Sequence, residues 1–423
     1  MPFNQNASFA DQSNSAELFF ECGDISIRHL EPQHLNATFL AHVNLIVDDS
    51  SFYPNANYNN SGLIVSGRAK VNGCFVYIYS QSHFDVGYPL SKLLSAEMEF
   101  LIRKSVQLRG PLIEIKYCDN MSFRKQSPFS FADVHREKVL ASGRIPLICL
   151  QFGYENLADT SAPSDFVFCV QDAASSNIIG QNLMTIHRTF YNEIDAIRSI
   201  KELIDYLMIR VKYAAPLLAN IAKDIRISAL NGFISSKKSA PYDTNELITT
   251  LVDNNVFYEI QPNFANNIIT CFARLAGQTV GIVANNAQVW NGALDKSSSY
   301  KTTKFVRFCD ALKIPLITLV DAPRFFEDSE RCNSYGDRLF GAYALATNFK
   351  STVVTRKCST ETMNVMTLGF FCGTVNYFWT VDENVKNAQT FEGYNCQAIT
   401  PCETRSKIQA EWRIFKENQT RNP

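Results

Sequence analysis

The sequence lacks several things that would have narrowed its function at once. No apolar run approaches the roughly 18 residues a membrane span needs, so no membrane partner is expected. Neither sign of charge is in excess: 40 basic and 41 acidic residues leave a formal net charge of −1. Nothing therefore marks the whole chain as a polyanion binder, and no nucleic-acid partner is expected. No pair among the 12 cysteines has C-x-x-C spacing, which excludes a zinc ribbon. His29, His34, His42, His83, His135 and His187 show no metal-ligand spacing and read as solvated or core histidines. No local motif suggests a Ser-His-Asp or Cys-His arrangement. A Gly-Lys-Ser/Thr phosphate loop is also missing, so ATP-driven chemistry would belong to another protein. The first basic residue, Arg28, follows Asp11, Glu17, Glu21 and Asp24. That order is not expected of an Arg-rich transit peptide, and from the residues alone the expected location is the cytoplasm.

What is present is the composition of a packed protein. The hydrophobic fraction is 46% and the charged fraction 19%, over a length that suits two or three domains. Cysteines scattered from Cys22 to Cys402 in a chain of this size read as free thiols in a reducing compartment. The 31 phenylalanines are expected to fill cores and subunit contacts.

Two stretches share one plan. Gly67–Gly73 with Cys74–Tyr79, and Phe272–Gly277 with Gln278–Val283, each read as strand, glycine turn, strand. A helix pattern follows each: Leu90, Leu94, Met98, Leu101, Ile102 and Val106 in the first, Tyr300, Phe305, Phe308, Cys309 and Leu312 in the second. Short apolar strands come next, at Pro111–Ile115 and Pro315–Val320. The offsets agree (277 − 73 = 204 and 315 − 111 = 204), which predicts a duplicated domain. The strand-helix-strand order predicts α/β layers with helices covering the sheets. A further helix is predicted near 193–211. Beyond it, Ala214-Ala215-Pro216 and Ser235–Pro241 are small and polar. The expected division is therefore a first domain over 1–212, a linker over 213–245 and a second domain over 246–423.

Several segments resemble the carboxyltransferase (β) subunits of biotin-dependent acyl-CoA carboxylases, propionyl-CoA carboxylase in particular. They are Phe305–Ala311 with Ile314–Ile317, Tyr258–Ile269, Val320–Pro323, Thr355-Arg356-Lys357, Val139–Gly143 with Ile145-Pro146, and Ile399–Pro401 with Glu403–Arg405. They stand in the family's order across roughly residues 40 to 415. The resemblance implies two tandem crotonase-like domains, β-sheets covered by helices, which agrees with the duplication. It also implies a homo- or hetero-oligomer, dimer or hexamer, in which acyl-CoA is held mainly by the N-domain. Carboxybiotin would be brought to the C-domain by a biotin-carrying partner subunit. The family's Met-Lys-Met biotin acceptor is missing, so no covalent cofactor is expected here. The relatives' usual compartment implies the mitochondrial matrix as the alternative to the cytoplasm.

The family's chemistry needs fixed donors aimed at two developing oxyanions, and it uses backbone N–H groups in glycine-rich turns. This sequence departs from the pattern at those turns. In the C-domain, small-Tyr-Gly-Gly-Ala-Tyr-Asp is replaced by Cys358-Ser359-Thr360-Glu361-Thr362-Met363-Asn364, with Glu361 and Thr362 at the oxyanion positions. In the N-domain, Cys-Ala-Gly-Gly-Ala gives way to a shorter run, Gly153-Tyr154-Glu155-Asn156-Leu157-Ala158, with Leu157 and Ala158 at the corresponding places. The family's Asp-Ser-Gly-Gly-Ala reads Asp119-Asn120-Met121-Ser122-Phe123, and its Pro-Gly-Phe reads Pro323-Arg324-Phe325. Gly153, Tyr154, Asp119, Asn120, Pro323 and Arg324 are the resulting substrate-binding candidates. The expectation is a carboxyltransferase-subunit homologue impaired in catalysis, with a structural or regulatory role. The alternative is an active carboxyltransferase moving CO₂ from carboxybiotin to propionyl-CoA or a related acyl-CoA. A different CoA activity would need a new acid or base, for which Glu155 and Glu361 are the nominees. Arg68, Lys70, Lys92, Arg103 and Lys104 are read as a solvated face rather than a phosphate site.

Overall fold

A computed structural model describes residues 32–55, 64–82, 88–117, 132–153, 164–171, 184–212, 242–324, 332–366, 375–380 and 396–421. The first half contains α1 (Pro32–Ile46), β1 (Tyr53–Pro54), β2 (Ile64–Val71), β3 (Cys74–Ser82), α2 (Tyr88–Leu108), β4 (Leu112–Tyr117), α3 (Ala132–Ala141), β5 (Leu147–Phe152), β6 (Phe166–Val170), β7 (Arg188–Phe190) and α4 (Glu193–Lys212). The second contains α5 (Thr244–Leu251), β8 (Phe257–Ile260), β9 (Ile268–Leu275), β10 (Gln278–Asn285), α6 (Lys296–Ala311), β11 (Leu316–Ala322), α7 (Cys332–Leu345), β12 (Lys350–Cys358), α8 (Thr360–Met366), β13 (Val375–Trp379), β14 (Cys396–Ile399) and α9 (Thr404–Arg421).

Each half folds one seven-stranded sheet, in chain order β1 to β7 and β8 to β14. The pairing is the same in both. The first three strands form an antiparallel meander, and the last four run parallel to the third. The duplication predicted from the glycine turns is therefore a duplication of the whole sheet.

It extends to backbone detail. Asn72 and Gly73 take φ of 50° and 71° between β2 and β3; Ala276 and Gly277 take 53° and 75° between β9 and β10. Both turns are left-handed, as the twist of a two-residue hairpin requires. Past α2 and α6, Arg109 (φ 54°) and Lys313 (φ 57°) turn the chain into Pro111 and Pro315. The carbonyls of those prolines accept the Tyr77 amide at 2.9 Å and the Gly281 amide at 2.8 Å, which starts the parallel pairing at the same point in each sheet.

Three apolar layers result. Helices α2 and α3 cover one face of the first sheet through Leu94, Met98, Leu101 and Val134 against Tyr77, Tyr79, Leu112 and Leu147. Helices α5 and α9 cover one face of the second through Leu247, Leu251, Ile408 and Trp412. The remaining faces, with α1, α4, α6 and α7, share one continuous core. At the joint, Phe166 meets Phe308 edge-on at 4.8 Å and Phe272 at 6.2 Å. Polar contacts fix the same joint. Arg188 lies 4.1 Å over the Tyr258 ring and donates twice to the Glu259 carbonyl, at 3.2 and 2.7 Å. Arg68, Lys92, Arg103 and Lys104 are exposed, in keeping with a solvated face. No helix among the described residues is long and apolar enough to cross a membrane.

Candidate functional site

In open α/β sheets, ligands bind beyond the carboxyl ends of the parallel strands, where helices begin and backbone amides point outward. Those of the predicted site residues that are described map to those ends.

In the second half, β11 finishes at Asp321-Ala322 and β12 at Cys358. Asp321 is buried, and its carboxylate pairs with Arg356 at 2.9 Å from Nη2 and 3.1 Å from Nε. The Arg356 guanidinium lies 4.9 Å over the Tyr242 ring, and the Tyr242 hydroxyl is 3.2 Å from Thr355 Oγ1. Burial, followed by the Asp321 charge, raises the Tyr242 pKa, so the phenol stays protonated. The Asp321 amide donates to Asn285 Oδ1 at 3.2 Å, and Asn285 Nδ2 donates to the Gly292 carbonyl at 3.0 Å. Gly292 closes three successive left-handed residues: Trp290 (φ 49°), Asn291 (58°) and Gly292 (76°). A Cβ on Gly292 would lie 2.3 Å from the Asp321 carbonyl, so only glycine lets this turn approach β11. Cys358 is pushed up to about 12 by burial, with Cys396 and Asp321 adding to the shift, which makes it a poor nucleophile.

The turn from β12 into α8 holds the two predicted oxyanion positions. Ser359 is the N-cap of α8. Its Oγ accepts the Thr362 amide at 3.2 Å and lies 3.0 Å from Thr362 Oγ1. The Ser359 amide donates to the Ala322 carbonyl at 3.3 Å. Thr362 is fully buried, and Glu361 lies in the first turn of α8. Arg324 is exposed, and its carbonyl accepts the Leu294 amide at 3.3 Å, just after the left-handed turn. The fold thus brings Pro323, Arg324, Ser359 and Thr362 to one end of the second sheet, with Ala322 between them.

In the first half, β5 occupies the place that β12 has in the second sheet, and Gly153 ends it with φ 79°. The Gly153 amide donates to the Val170 carbonyl at 3.1 Å. Its own carbonyl accepts from Gln151 Nε2 at 3.3 Å and Cys169 Sγ at 3.4 Å. Both polar groups of Gly153 are therefore used in closing the strand. Tyr154, Leu157, Ala158, Asp119 and Asn120 lie outside the described residues.

Sequence reasoning missed a buried ionic cluster below this end. Gln81, Lys116 and Gln151 pair in register across β3, β4 and β5, and Tyr79, Glu114 and Cys149 form the row beneath. Glu114 Oε2 lies 2.5 Å from Lys138 of α3, and Oε1 lies 3.5 Å from Lys116. Burial pushes the Glu114 carboxyl up, but Lys116 and Lys138 together hold it down at about 2. Burial lowers the Lys138 pKa, and Glu114 opposes that shift. The signal was present in the alternation of Leu112-Ile113-Glu114-Ile115-Lys116, where charges take every second place of an otherwise apolar strand. Among the described residues, no group of three or more His, Cys, Asp or Glu side chains is arranged to hold a metal.

A family profile described as "Carboxyl transferase domain" matches residues 170–379. The mitochondrial propionyl-CoA carboxylase beta chain of Sus scrofa is 32% identical over 353 residues, covering 76% of this chain and 66% of its own length. The chain thus spans just under two thirds of that relative. The propionyl-CoA carboxylase beta chain of Cereibacter sphaeroides is 32% identical over 407 residues, 84% of this chain and 79% of the relative. Among solved structures, transcarboxylase 12S, a hexamer with methylmalonyl-coenzyme A and methylmalonic acid bound, superposes with a TM-score of 0.73 at 20% identity. That match covers 96% of this chain and 94% of the other, which shows the crotonase-like two-domain fold. By this kinship and this fold, the chain belongs to the carboxyltransferase beta-subunit family of the acyl-CoA carboxylases.

Proposed function

We propose that this protein is a carboxyltransferase-subunit homologue impaired in catalysis, and that it serves an acyl-CoA carboxylase as a structural or regulatory subunit. The observation that carries the reading is the Ser359–Thr362 cap. Carboxyl transfer requires amide donors aimed at a developing oxyanion, and losing one such donor costs roughly 10²–10³ in rate. Thr362 sits at one of the two C-domain positions, yet its amide is taken by Ser359 Oγ at 3.2 Å. The family has tyrosine at the Ser359 position, which cannot cap a helix in this way. The loss of both turn glycines supports the same reading, and so does the engagement of both polar groups of Gly153. The scaffold and the domain joint are retained, as a role in assembly requires.

On this reading the chain divides into a first domain over 1–212, a linker over 213–245 and a second domain over 246–423. It associates with itself or with an active paralogue. Biotin, where present, is carried by a partner subunit, and acyl-CoA remains a candidate ligand of the first domain. The relatives, one mitochondrial and one bacterial, support a place in the mitochondrial matrix or the cytoplasm.

The test is direct. The purified chain is given carboxybiotin and propionyl-CoA, and product is followed by mass spectrometry, with calorimetry against propionyl-CoA and acetyl-CoA alongside. No detectable carboxylation is expected. Turnover at the level of an ordinary family member would overturn the impairment and leave an active carboxyltransferase with atypical turns.

A further inference from the structure

A second polar network lies on the opposite face of the first sheet from the Glu114 cluster, and it reaches the C-terminal end of β4. Its centre is His42 of α1, buried to 5% exposure. His42 Nε2 is 2.7 Å from Glu193 Oε2, at the start of α4. His42 Nδ1 is 2.6 Å from the Tyr117 hydroxyl and 3.1 Å from the Thr38 carbonyl. Tyr117 is the last residue of β4. Its ring is stacked between Phe39 at 4.9 Å and Phe152 at 5.0 Å, which fixes where its hydroxyl points. Ser80 of β3 is in register with Ile115, two residues before Tyr117 and on the same face of the sheet, and its fully buried Oγ takes no other hydrogen bond.

The chemistry of these groups allows two proton arrangements. A carboxylate accepts only, so Glu193 selects the ring tautomer with the proton on Nε2. The bare Nδ1 then accepts the Tyr117 hydroxyl. Hydrogen bonding to His42 lowers the Glu193 pKa, which keeps that side chain a carboxylate, and burial raises Tyr117, which keeps it a phenol. When the ring takes up a second proton, Nδ1 becomes a donor. The Thr38 carbonyl is there to accept it, and Tyr117 must find another acceptor. Ser80 Oγ is placed to be that acceptor. Among the described residues, the elements packed against α1 set mainly apolar groups around this point. From β2 and β3 come Val65, Ala69, Val71, Val76, Ile78 and Ser80, from β5 comes Phe152, and from α4 comes Glu193.

We infer that His42 is a proton-operated switch that hands the Tyr117 hydroxyl from its own Nδ1 to Ser80. The switch acts at the C-terminal end of β4, two residues before Asp119, which with Asn120 was singled out above for substrate contact. It thereby ties the docking of α1 and α4 to the root of that segment. It does not depend on whether the chain catalyses carboxyl transfer.

The full chain, labelled with ¹⁵N at histidine, carries the test, with His42 assigned by its loss in His42→Gln. Long-range ¹⁵N–¹H correlations over a pH series read the ring state directly. In the wild type the neutral ring is expected to carry its proton on Nε2, a result that needs no variant to fold. Tyr117→Phe is expected to move the His42 titration midpoint up by about one pH unit, because protonation no longer breaks a bond to Nδ1. Ser80→Ala is expected to move it down by about half a unit, since the displaced phenol then has no acceptor. A merely structural Ser80, not in contact with the imidazole, would leave the midpoint in place. A neutral ring protonated on Nδ1, or an unmoved midpoint in Ser80→Ala, would overturn the switch.

Discussion

Asp48 and Asp253 hold equivalent turns of the two sheets in the same way. The Asp48 carboxylate accepts the Asn72 and Gly73 amides at 2.8 and 2.6 Å, and the Asp253 carboxylate accepts the Ala276 and Gly277 amides at 3.1 and 2.6 Å. Each carboxylate supplies acceptors to two consecutive N–H groups of a left-handed hairpin that the sheet itself leaves unpaired. Asp253 also pairs with Arg405 of α9, so it joins the hairpin to the last helix.

Asp48→Ala is expected to destabilise the first domain by about 1–3 kcal/mol, the cost of leaving charge-assisted amide bonds unmade. Asp253→Ala is expected to cost more, because it also strands Arg405. Urea unfolding of the two single variants and the double variant checks both. The sites lie in different halves, so the two losses should add within about half a kcal/mol.

Glu114→Gln removes the acid that pairs with two buried lysines. The expected loss is about 3–5 kcal/mol, because two lysines are left buried without the carboxylate they pair with, and Lys138, already lowered by burial, is driven further toward its neutral form. Replacing Glu114 and Lys138 together by leucine and methionine should recover much of it. The pH dependence has a definite sign. The folded carboxyl is held at about 2 against an ordinary 4.5. Its contribution is therefore complete above pH 4.5 and is lost as the pH falls toward 2. Acid unfolding followed by circular dichroism should show a shallower slope in that window for the double variant.

Asp165 predicts a slope of the opposite sign. Burial raises its carboxyl to about 7, opposed by the Leu147 amide and by Lys304. The folded state therefore holds the proton more tightly than the unfolded chain. Its contribution is present below the ordinary value of 3.8 and is lost as the pH rises toward 7. Asp165→Asn keeps an acceptor for the Leu147 amide, which is 2.9 Å from Oδ2, and should flatten the stability profile between those limits. An unchanged slope would show that solvent reaches this carboxyl.

Lys301 is surrounded by three carbonyls, those of Gln261, Phe264 and Ile268, each 2.9 Å from Nζ. The loop between β8 and β9 is folded around its ammonium group. Lys301→Met is expected to lower stability by about 2–4 kcal/mol, since three buried carbonyls lose their donor at once. Hydrogen exchange should show the loss of protection concentrated in residues 261–268.

Ser359→Ala is expected to cost about 1 kcal/mol, the usual value of an N-cap, and to leave the sheets intact. Thermal unfolding measures it. Ser359→Ala combined with Glu361→Gly frees the Thr362 amide and restores a glycine to the turn. A gain in carboxylation by that pair over the wild type would identify the cap as the block.

Much of the architecture was legible in the chain because it rests on local chemistry. Asn72-Gly73 and Ala276-Gly277 announce left-handed turns, the apolar spacing from Leu90 to Val106 announces α2, and Pro111 and Pro315 set the start of β4 and β11. The linker stretch was legible only coarsely. Helix α5 starts at Thr244, capped by Asp243, inside the residues read as linker, because one aspartate and a short apolar stripe are a weak signal beside so many small residues.

The sequence by itself determined the repeat, the order of strands and helices, the family resemblance, and the loss of the glycine pairs from the two turns where the family carries them. All of these are written in residue identity and spacing. Tertiary structure alone decided which distant groups meet. Glu114 with Lys138, Asp321 with Arg356, and His42 with both Glu193 and Tyr117 are brought together by the stacking of helices on sheets. No periodicity along the chain encodes such a meeting between residues far apart in sequence. It also decided the state of the Thr362 amide. Loss of glycine could be read from the letters, but the capture of that amide by Ser359 depends on where the first turn of a helix places an oxygen.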